Sequence, residues 1–211
     1  MGLDSLKEIV KRIQRSLRNE PTPRKQLSMH RLISPDEDPA TALAEGYEYT
    51  PYEVSIEKRW VSLINDSGDF QALGIWTKDT LHTTVIQSLA PGGAVLVTQA
   101  QQLVAAASLC YSDESQSIGT LMYLLVHHDH RRRGLGQTML QRIIQLCQNN
   151  GMKELRLLTD AFRLEAIKLY LRVGFAVDFA SIEEFEMQKK ALLQKLHSHK
   201  NSCHGCWWIP S

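Results

Sequence analysis

The chain has 211 residues, of which 43% are hydrophobic, and a formal net charge of +1 at pH 7. This length can bury a sizeable core, and the near-neutral charge gives no general attraction to nucleic acid or other polyanions. No apolar run approaches the roughly 20 residues that cross a bilayer, and the first residues alternate apolar and charged side chains instead of forming a secretory signal. We therefore expect a cytoplasmic protein that neither binds nucleic acid nor enters a membrane.

Residues 1–45 predict a helical arm followed by a linker. Apolar residues recur at alternating steps of three and four, which gives one helix an apolar seam, and Pro21 ends that helix. We expect the seam to pack on this chain's own core or on a second copy, which would make a homodimer; an interfacial membrane helix is the alternative. A short strand is predicted at residues 29–33. The seam consists of Leu3, Leu6, Val10, Ile13 and Leu17.

Residues 46–190 predict one domain of alternating strands and helices. Thr77 is the expected N-cap of its second helix, and Cys110 and Cys147 fall on apolar faces, which is typical of buried thiols. Strands are predicted at 47–52, 94–98, 103–111, 118–126, 153–159 and 185–187, and helices at 55–65, at 77–89, after the glycines at 134 and 136, and at 162–173.

The most informative segment is VHHDHRRRGLG, residues 126–136, where a buried strand gives way to an amphipathic helix. Gly134 and Gly136 leave backbone N–H groups accessible at the helix N-terminus, where the helix dipole is positive. Arg131, Arg132 and Arg133 add positive charge. Strand, basic turn and helix in this order predict a site for a pyrophosphate.

A second block, RLEAIKLYLRVGF, follows one strand later at residues 163–175. Its helix places Ala166, Leu169 and Tyr170 on one face and ends in Gly174 and Phe175. Arg-x-x-Gly-x-Gly after a strand, followed by Ala-x-x-Leu-Tyr and a terminal Gly-Phe, resembles the GNAT superfamily of acyl-CoA-dependent N-acetyltransferases. The resemblance spans about two-thirds of the chain, and residues 46–76 loosely resemble the single-domain relatives of mycothiol synthase.

The resemblance implies an α/β (α+β) fold. Its central mixed, mostly antiparallel sheet is splayed between the fourth and fifth core strands and has helices on both faces. It also implies an acetyl-CoA site in which the pantetheine arm bonds to the backbone of one strand and the pyrophosphate lies in the loop that follows. The implied cofactor-binding residues are Leu124, Leu125, Val126, Arg131, Arg132, Arg133, Gly134, Leu135 and Gly136.

The implied activity is transfer of an acetyl or other short acyl group from acetyl-CoA to a primary amine of a small molecule or peptide. The amine attacks directly in a ternary complex after losing a proton, and Tyr170 occupies the position of the family's acid that protonates the departing thiolate. The general base is open among Asp113, Glu114, Tyr123, His127 and His128. The alternative function is a catalytically silent acyl-CoA-binding sensor or scaffold.

We predict no metal site. His127, His128 and His130 adjoin three arginines that would repel a cation, so a solvated turn is the favoured interpretation. The tail at 191–211 contains Cys203-x-x-Cys206 with nearby histidines, a pattern that could bind zinc but lacks the wide second-pair spacing of structural zinc fingers. A disordered end is therefore favoured for this tail.

Overall fold

The computed structural model describes residues 26–68, 74–112, 114–160 and 163–178, which fall into two compact units. The larger unit contains residues 30–157 and 172–175, and the smaller one contains, within the described ranges, 26–29, 158–160, 163–171 and 176–178. The predicted N-terminal helix, the predicted strand at 185–187, the Cys203 and Cys206 tail and Asp113 lie outside the described residues.

Within these ranges the chain forms seven strands and four α-helices, together with short 3-10 turns. The strands are β1 (Gln26–Leu32), β2 (Glu48–Thr50), β3 (Leu89–Gln99), β4 (Gln102–Tyr111), β5 (Ile118–Val126), β6 (Glu154–Asp160) and β7 (Ala176–Val177). The helices are α1 (Glu57–Ser67), α2 (Lys78–Thr84), α3 (Leu135–Asn149) and α4 (Leu164–Arg172).

The strands form a seven-stranded mixed sheet, which confirms the predicted α/β fold class. In the larger unit its order is β2-β3-β4-β5-β6, antiparallel throughout except that β5 and β6 run parallel. The β5–β6 register ends at Leu121↔Leu157, whereas β5 stays paired with β4 as far as Ala105↔Val126. The far end of β5 is therefore where the sheet opens.

The core of the larger unit forms where α1 and α2 pack on the sheet. Trp60 and Leu81 are fully buried against strand residues such as Leu96 and Leu125. On α3, the buried face includes each residue expected from the helical spacing: Met139, Leu140, Ile143, Ile144 and Cys147. None of the helices in the described ranges combines the length and the apolar content needed to span a bilayer.

Both cysteines of the larger unit are buried thiols, as predicted. Cys110 on β4 is 2% exposed and Cys147 on α3 is fully buried. Burial raises the pKa of Cys110 to about 11 and that of Cys147 to about 12, with Arg31 opposing the second shift. Both sulfurs are therefore protonated at neutral pH.

The second helix is shorter than predicted. Thr77 caps it as expected, since its Oγ1 accepts a hydrogen bond of 3.1 Å from the Thr80 N–H. The helix ends at Thr84 instead of residue 89 because Val85 leaves helical geometry, with φ −122° and ψ −60°. A short 3-10 turn follows, and β3 then begins at Leu89.

Gly93 lies inside β3, where the register shifts from Leu89↔Cys110 to Ala94↔Ser108. A Cβ atom at this position would lie 2.3 Å from the carbonyl oxygen of Leu109 and 2.8 Å from that of Ala90. Both contacts are to backbone, which a rotamer change does not relieve. The irregular stretch of β3 therefore depends on glycine.

We expect Gly93→Ala to destabilise the protein by about 2 kcal/mol or more, because β3 and β4 must separate locally to admit the methyl group. Urea unfolding followed by circular dichroism measures the loss. Glu48→Ala, at an exposed position of β2, is the control and should change stability by less than about 0.5 kcal/mol. An unfolding midpoint for Gly93→Ala equal to that of the unmodified protein would contradict the close approach.

Candidate functional site

The opened end of β5 contains a bulge. Ala106 pairs with Leu125 and Ser108 with Met122, so β5 has one residue more than β4 over this stretch. Tyr123 takes up the irregularity with φ +50°, a left-handed conformation that is uncommon for a bulky residue. Such strained positions occur disproportionately at functional sites. The bulge directly precedes the predicted pantetheine-binding backbone of residues 124–126.

The chain turns from β5 into α3 through a compact basic loop. The N–H of His127 donates to the carbonyl of Val104 at 2.8 Å, and a 3-10 turn at His128–His130 follows. Arg131 folds back, and its Nε donates to the carbonyl of Val126 at 2.9 Å. The loop is thereby tied to the last residue of β5.

The N-terminus of α3 is arranged to receive an anion. Gly134 is its N-cap with φ +81°, no side chain caps the first turn, and no acidic residue lies in that turn. A Cβ on Gly134 would meet nothing within 4 Å among the described residues, so the cap faces open space. Leu135 is buried and anchors the turn, while Arg131, Arg132 and Arg133 are exposed. Accessible N–H groups, the positive helix end and the arginines favour a phosphate here.

A second set of hydrogen bonds ties the loop to Tyr47, the residue that precedes β2. Arg133 donates from Nη1 to the Tyr47 hydroxyl and from Nη2 to the Asp129 carbonyl, both at 3.1 Å. The Tyr47 hydroxyl lies 3.1 Å from Nδ1 of His130. Burial lowers the pKa of His130, and the charges of Arg133, His127 and His128 lower it further against the opposing Asp129. The neutral form of this loop histidine is thus favoured.

The predicted cofactor-binding residues of β5 and the loop are contiguous in the larger unit. Leu125 is buried in the core cluster, and Leu124 and Val126 are half-buried, so this stretch offers backbone atoms more than side chains. Tyr170 lies on α4 in the smaller unit and is 5% exposed. Its role as an acid stays a prediction.

The base candidates differ in their surroundings. Glu114 and His128 are exposed, whereas His127 and Tyr123 are half-buried. Burial, and then Cys110, raises the pKa of Tyr123, which keeps the phenol protonated and argues against it as a base. His127, His128 and Asp129 have ligand atoms within 4.8 Å of one another, but the positive charge of the following arginines opposes a cation there.

One buried acidic residue was missed by the sequence analysis. Glu57, the first residue of α1, is 6% exposed, and its Oε1 accepts a hydrogen bond of 2.7 Å from the Tyr52 hydroxyl. No motif marks it. The available signal was its helical position, because Glu57 lies three residues before Trp60 and seven before Ile64, on the apolar face of the predicted helix.

The sequence model described as "Acetyltransferase (GNAT) family" matches residues 59–175, more than half of the chain, and the chain belongs to that family. The match includes β5, the basic loop, α3, β6 and α4.

Curated relatives match a shorter segment of the chain by sequence, whereas solved structures match more of the chain by fold. A segment of 55 residues, 26% of this chain, is 38% identical to N-acetyltransferase family 8 member 3 of Mus musculus and spans 24% of that protein's length. A GCN5-related N-acetyltransferase from Sphaerobacter thermophilus has the same fold with a TM-score of 0.61 and 21% identity, over 74% of this chain and 49% of that one. A putative acetyltransferase from Salmonella typhimurium, solved with its cofactor acetyl-CoA, has a TM-score of 0.51 and 14% identity, over 64% of this chain and 82% of that one.

The environment of His130 makes a testable prediction about the loop. We expect its imidazole to titrate below the ordinary value of 6.5, and Arg133→Gln to raise the pKa only part of the way back, because burial is the larger cause. NMR titration of the ring C–H signal measures both values. Arg142→Gln on α3 is the control and should leave the His130 pKa unchanged. A pKa at or above 6.5 in the unmodified protein would contradict this arrangement.

Proposed function

We propose that the protein is an N-acetyltransferase that moves an acetyl or other short acyl group from acetyl-CoA to a primary amine of a small molecule or peptide. The observation that carries the proposal is the uncapped N-terminus of α3, with its arginines, at the end of the bulged β5. The family assignment supports acyl transfer, and the relative solved with acetyl-CoA supports this donor.

Acetyl-CoA would lie with its pyrophosphate on the backbone of residues 134–136 and its charge offset by the arginines at 131–133. Arg131 and Arg133 also bond to loop atoms, so they hold the cradle in shape while they contribute charge. Arg132, exposed and in a left-handed conformation, extends from the loop. The pantetheine arm would then follow the backbone of residues 124–126 toward the bulge, where β5 has left β6.

The chemistry needs three proton movements, because the nitrogen loses two protons between ammonium and amide and the sulfur gains one. An alkylammonium has no lone pair, so it must lose a proton before its nitrogen attacks the thioester carbonyl in the ternary complex. The nitrogen loses its second proton as the C–S bond breaks, and the CoA sulfur takes the electron pair and gains a proton. We assign that proton to Tyr170, whose burial would keep bulk water from competing for it.

A release assay for free thiol with acetyl-CoA over a panel of primary amines tests the activity, and a thermal shift with acetyl-CoA tests donor binding. Thiol release that depends on the amine, together with a raised Tm, would support the proposal. A raised Tm without thiol release for any amine would favour a silent acyl-CoA-binding module. No shift and no release would refute the proposed function.

Gly134→Glu should abolish acetyl-CoA binding, because a carboxylate at the helix N-terminus would occupy and repel the pyrophosphate position. Gly151→Glu is a matched control: Gly151 follows the other end of α3, has φ +69° against +81° for Gly134, and likewise meets nothing within 4 Å. Backbone strain and added charge are then similar in both variants. Isothermal titration with acetyl-CoA should show binding only in the control, and equal loss in both would contradict the proposed cradle.

Tyr170→Phe should leave acetyl-CoA binding intact and slow transfer by about 100-fold, because the proposed proton donor to the thiolate is removed. Tyr49→Phe is the control. It removes a hydroxyl on β2 that donates a hydrogen bond to the Thr41 carbonyl. Steady-state rates of thiol release measure the effect. Unchanged turnover in Tyr170→Phe would exclude this hydroxyl as the acid.

A further inference from the structure

The start of α1 buries a carboxylate that the proposed chemistry has not yet used. Glu57 is 6% exposed, and Tyr52 donates to its Oε1 at 2.7 Å. Lys78 lies on the other side, with Nζ 3.8 Å from Oε2, which is an ion pair but longer than a hydrogen bond. The Lys78 side chain is 53% exposed. Oε2 thus retains capacity to accept a hydrogen bond from a further cation.

A buried carboxylate is costly unless hydrogen bonds and charge compensate it. Its position in the first turn of a helix offsets part of this cost through the helix dipole. Burial, with the hydrogen bond and charge of Glu57, raises the pKa of Tyr52 to about 12. Tyr52 therefore stays protonated and continues to orient the carboxylate through one oxygen.

Two aromatic pairs belong to one core cluster, one beside this carboxylate and the other at the bulge of β5. The rings of Tyr52 and Trp60 meet edge to face at 6.4 Å, and those of Trp76 and Tyr123 at 4.8 Å. Tyr52 and Tyr123 are both half-buried against the one core cluster that contains Trp60 and Trp76. Half-buried rings provide flat apolar surface and attract a cation over their faces.

The segment that contains Trp76 is held firmly on α1. The Asn65 amide donates from Nδ2 to the Trp76 carbonyl at 3.0 Å and accepts from the Trp76 N–H at 2.9 Å. This pair of bonds fixes Trp76, and Lys78 two residues later, relative to the helix that begins with Glu57. The arrangement is preorganised, which lowers the cost of binding a ligand.

We propose that Glu57 binds the ammonium group of the acceptor and takes its proton, and that the acceptor is an alkyl amine, cationic at neutral pH, with an apolar group close to its nitrogen. This inference rests on the proposed acetyl transfer. Oε2 of Glu57 receives one proton from the ammonium, and the freed lone pair forms the C–N bond to the thioester carbonyl carbon. The C–S bond breaks, and the sulfur leaves with the electron pair and takes a proton from Tyr170, the acid proposed above. The nitrogen's second proton restores that phenol, and Glu57 returns its proton to water.

The test compares Glu57→Gln with Glu53→Gln, an exposed glutamate in the same segment. The two acceptor probes are 2-phenylethylamine, which is protonated at pH 7, and aniline, which is not and therefore needs no base. We expect Glu57→Gln to lower kcat/KM for 2-phenylethylamine by about 100-fold and for aniline by less than about threefold. Glu53→Gln should leave both unchanged. Equal losses for the two amines, or none, would overturn the assignment.

A binding measurement separates this inference from the proposed function. Isothermal titration should show that the unmodified protein binds 2-phenylethylamine more tightly than the uncharged 2-phenylethanol, and that Glu57→Gln removes the preference. Absence of that preference in the unmodified protein would overturn the inference whether or not thiol is released. Amine-dependent turnover with an unaffected Glu57→Gln would overturn the inference alone, and the proposed acetyl transfer would stand.

If Glu57→Gln does not fold, as judged by its Tm, Glu57→Asp replaces it. That variant keeps the charge but withdraws the carboxylate by one methylene, so it should impair 2-phenylethylamine more than aniline. Equal impairment of the two amines in a folded Glu57→Asp would show that Glu57 acts only in packing and would overturn the proposal.

Discussion

The parallel pairing of β5 with β6 is the constraint on which the rest of the site depends. Two parallel neighbours need a crossover connection, so the chain must leave the end of β5, form α3 over the sheet, and return to start β6 beside Ile118. The N-terminus of α3 therefore lies at the end of β5 where the register with β6 has already stopped. Accessible strand backbone and a positive helix end meet there because of this topology, before any particular side chain contributes.

The basic residues of the loop between these elements have different roles. Arg131 and Arg133 bond to the carbonyls of Val126 and Asp129, so part of their hydrogen-bonding capacity holds the turn in shape. Burial and the charge of Arg133 lower the pKa of His130 and so favour its neutral form. The lowered pKa of His130 thus leaves the arginines as the charges that this part of the loop offers to a phosphate.

Long periodic patterns, the Thr77 cap and the two buried cysteines were predicted correctly, whereas the end of α2, the burial of Glu57 and the bulge at Tyr123 were not. β5 was placed at the bounds that the structure gives, and the buried face of α3 was read from its 3.6-residue spacing, because burial repeats along both elements. The predicted end of α2 was wrong, because the apolar pattern continues through Val85 and Ile86 although the α-helix has already ended there. Glu57 was missed because an acidic residue at the first position of a helix is ordinarily exposed even in line with the apolar face, and its burial arises only when Tyr52 and α2 pack beside it. The bulge at Tyr123 escaped because tyrosine gives no signal for a left-handed conformation.

The two buried cysteines bear on the by-product of the proposed acyl transfer. Coenzyme A leaves such a reaction as a free thiol, the species that enters disulfide exchange with protein sulfur under oxidising conditions. Exchange requires an accessible thiolate, and the sulfurs of Cys110 and Cys147 are enclosed in the core and protonated. Neither cysteine would therefore form a mixed disulfide with the released coenzyme A, and oxidation of these two residues would not regulate the proposed reaction.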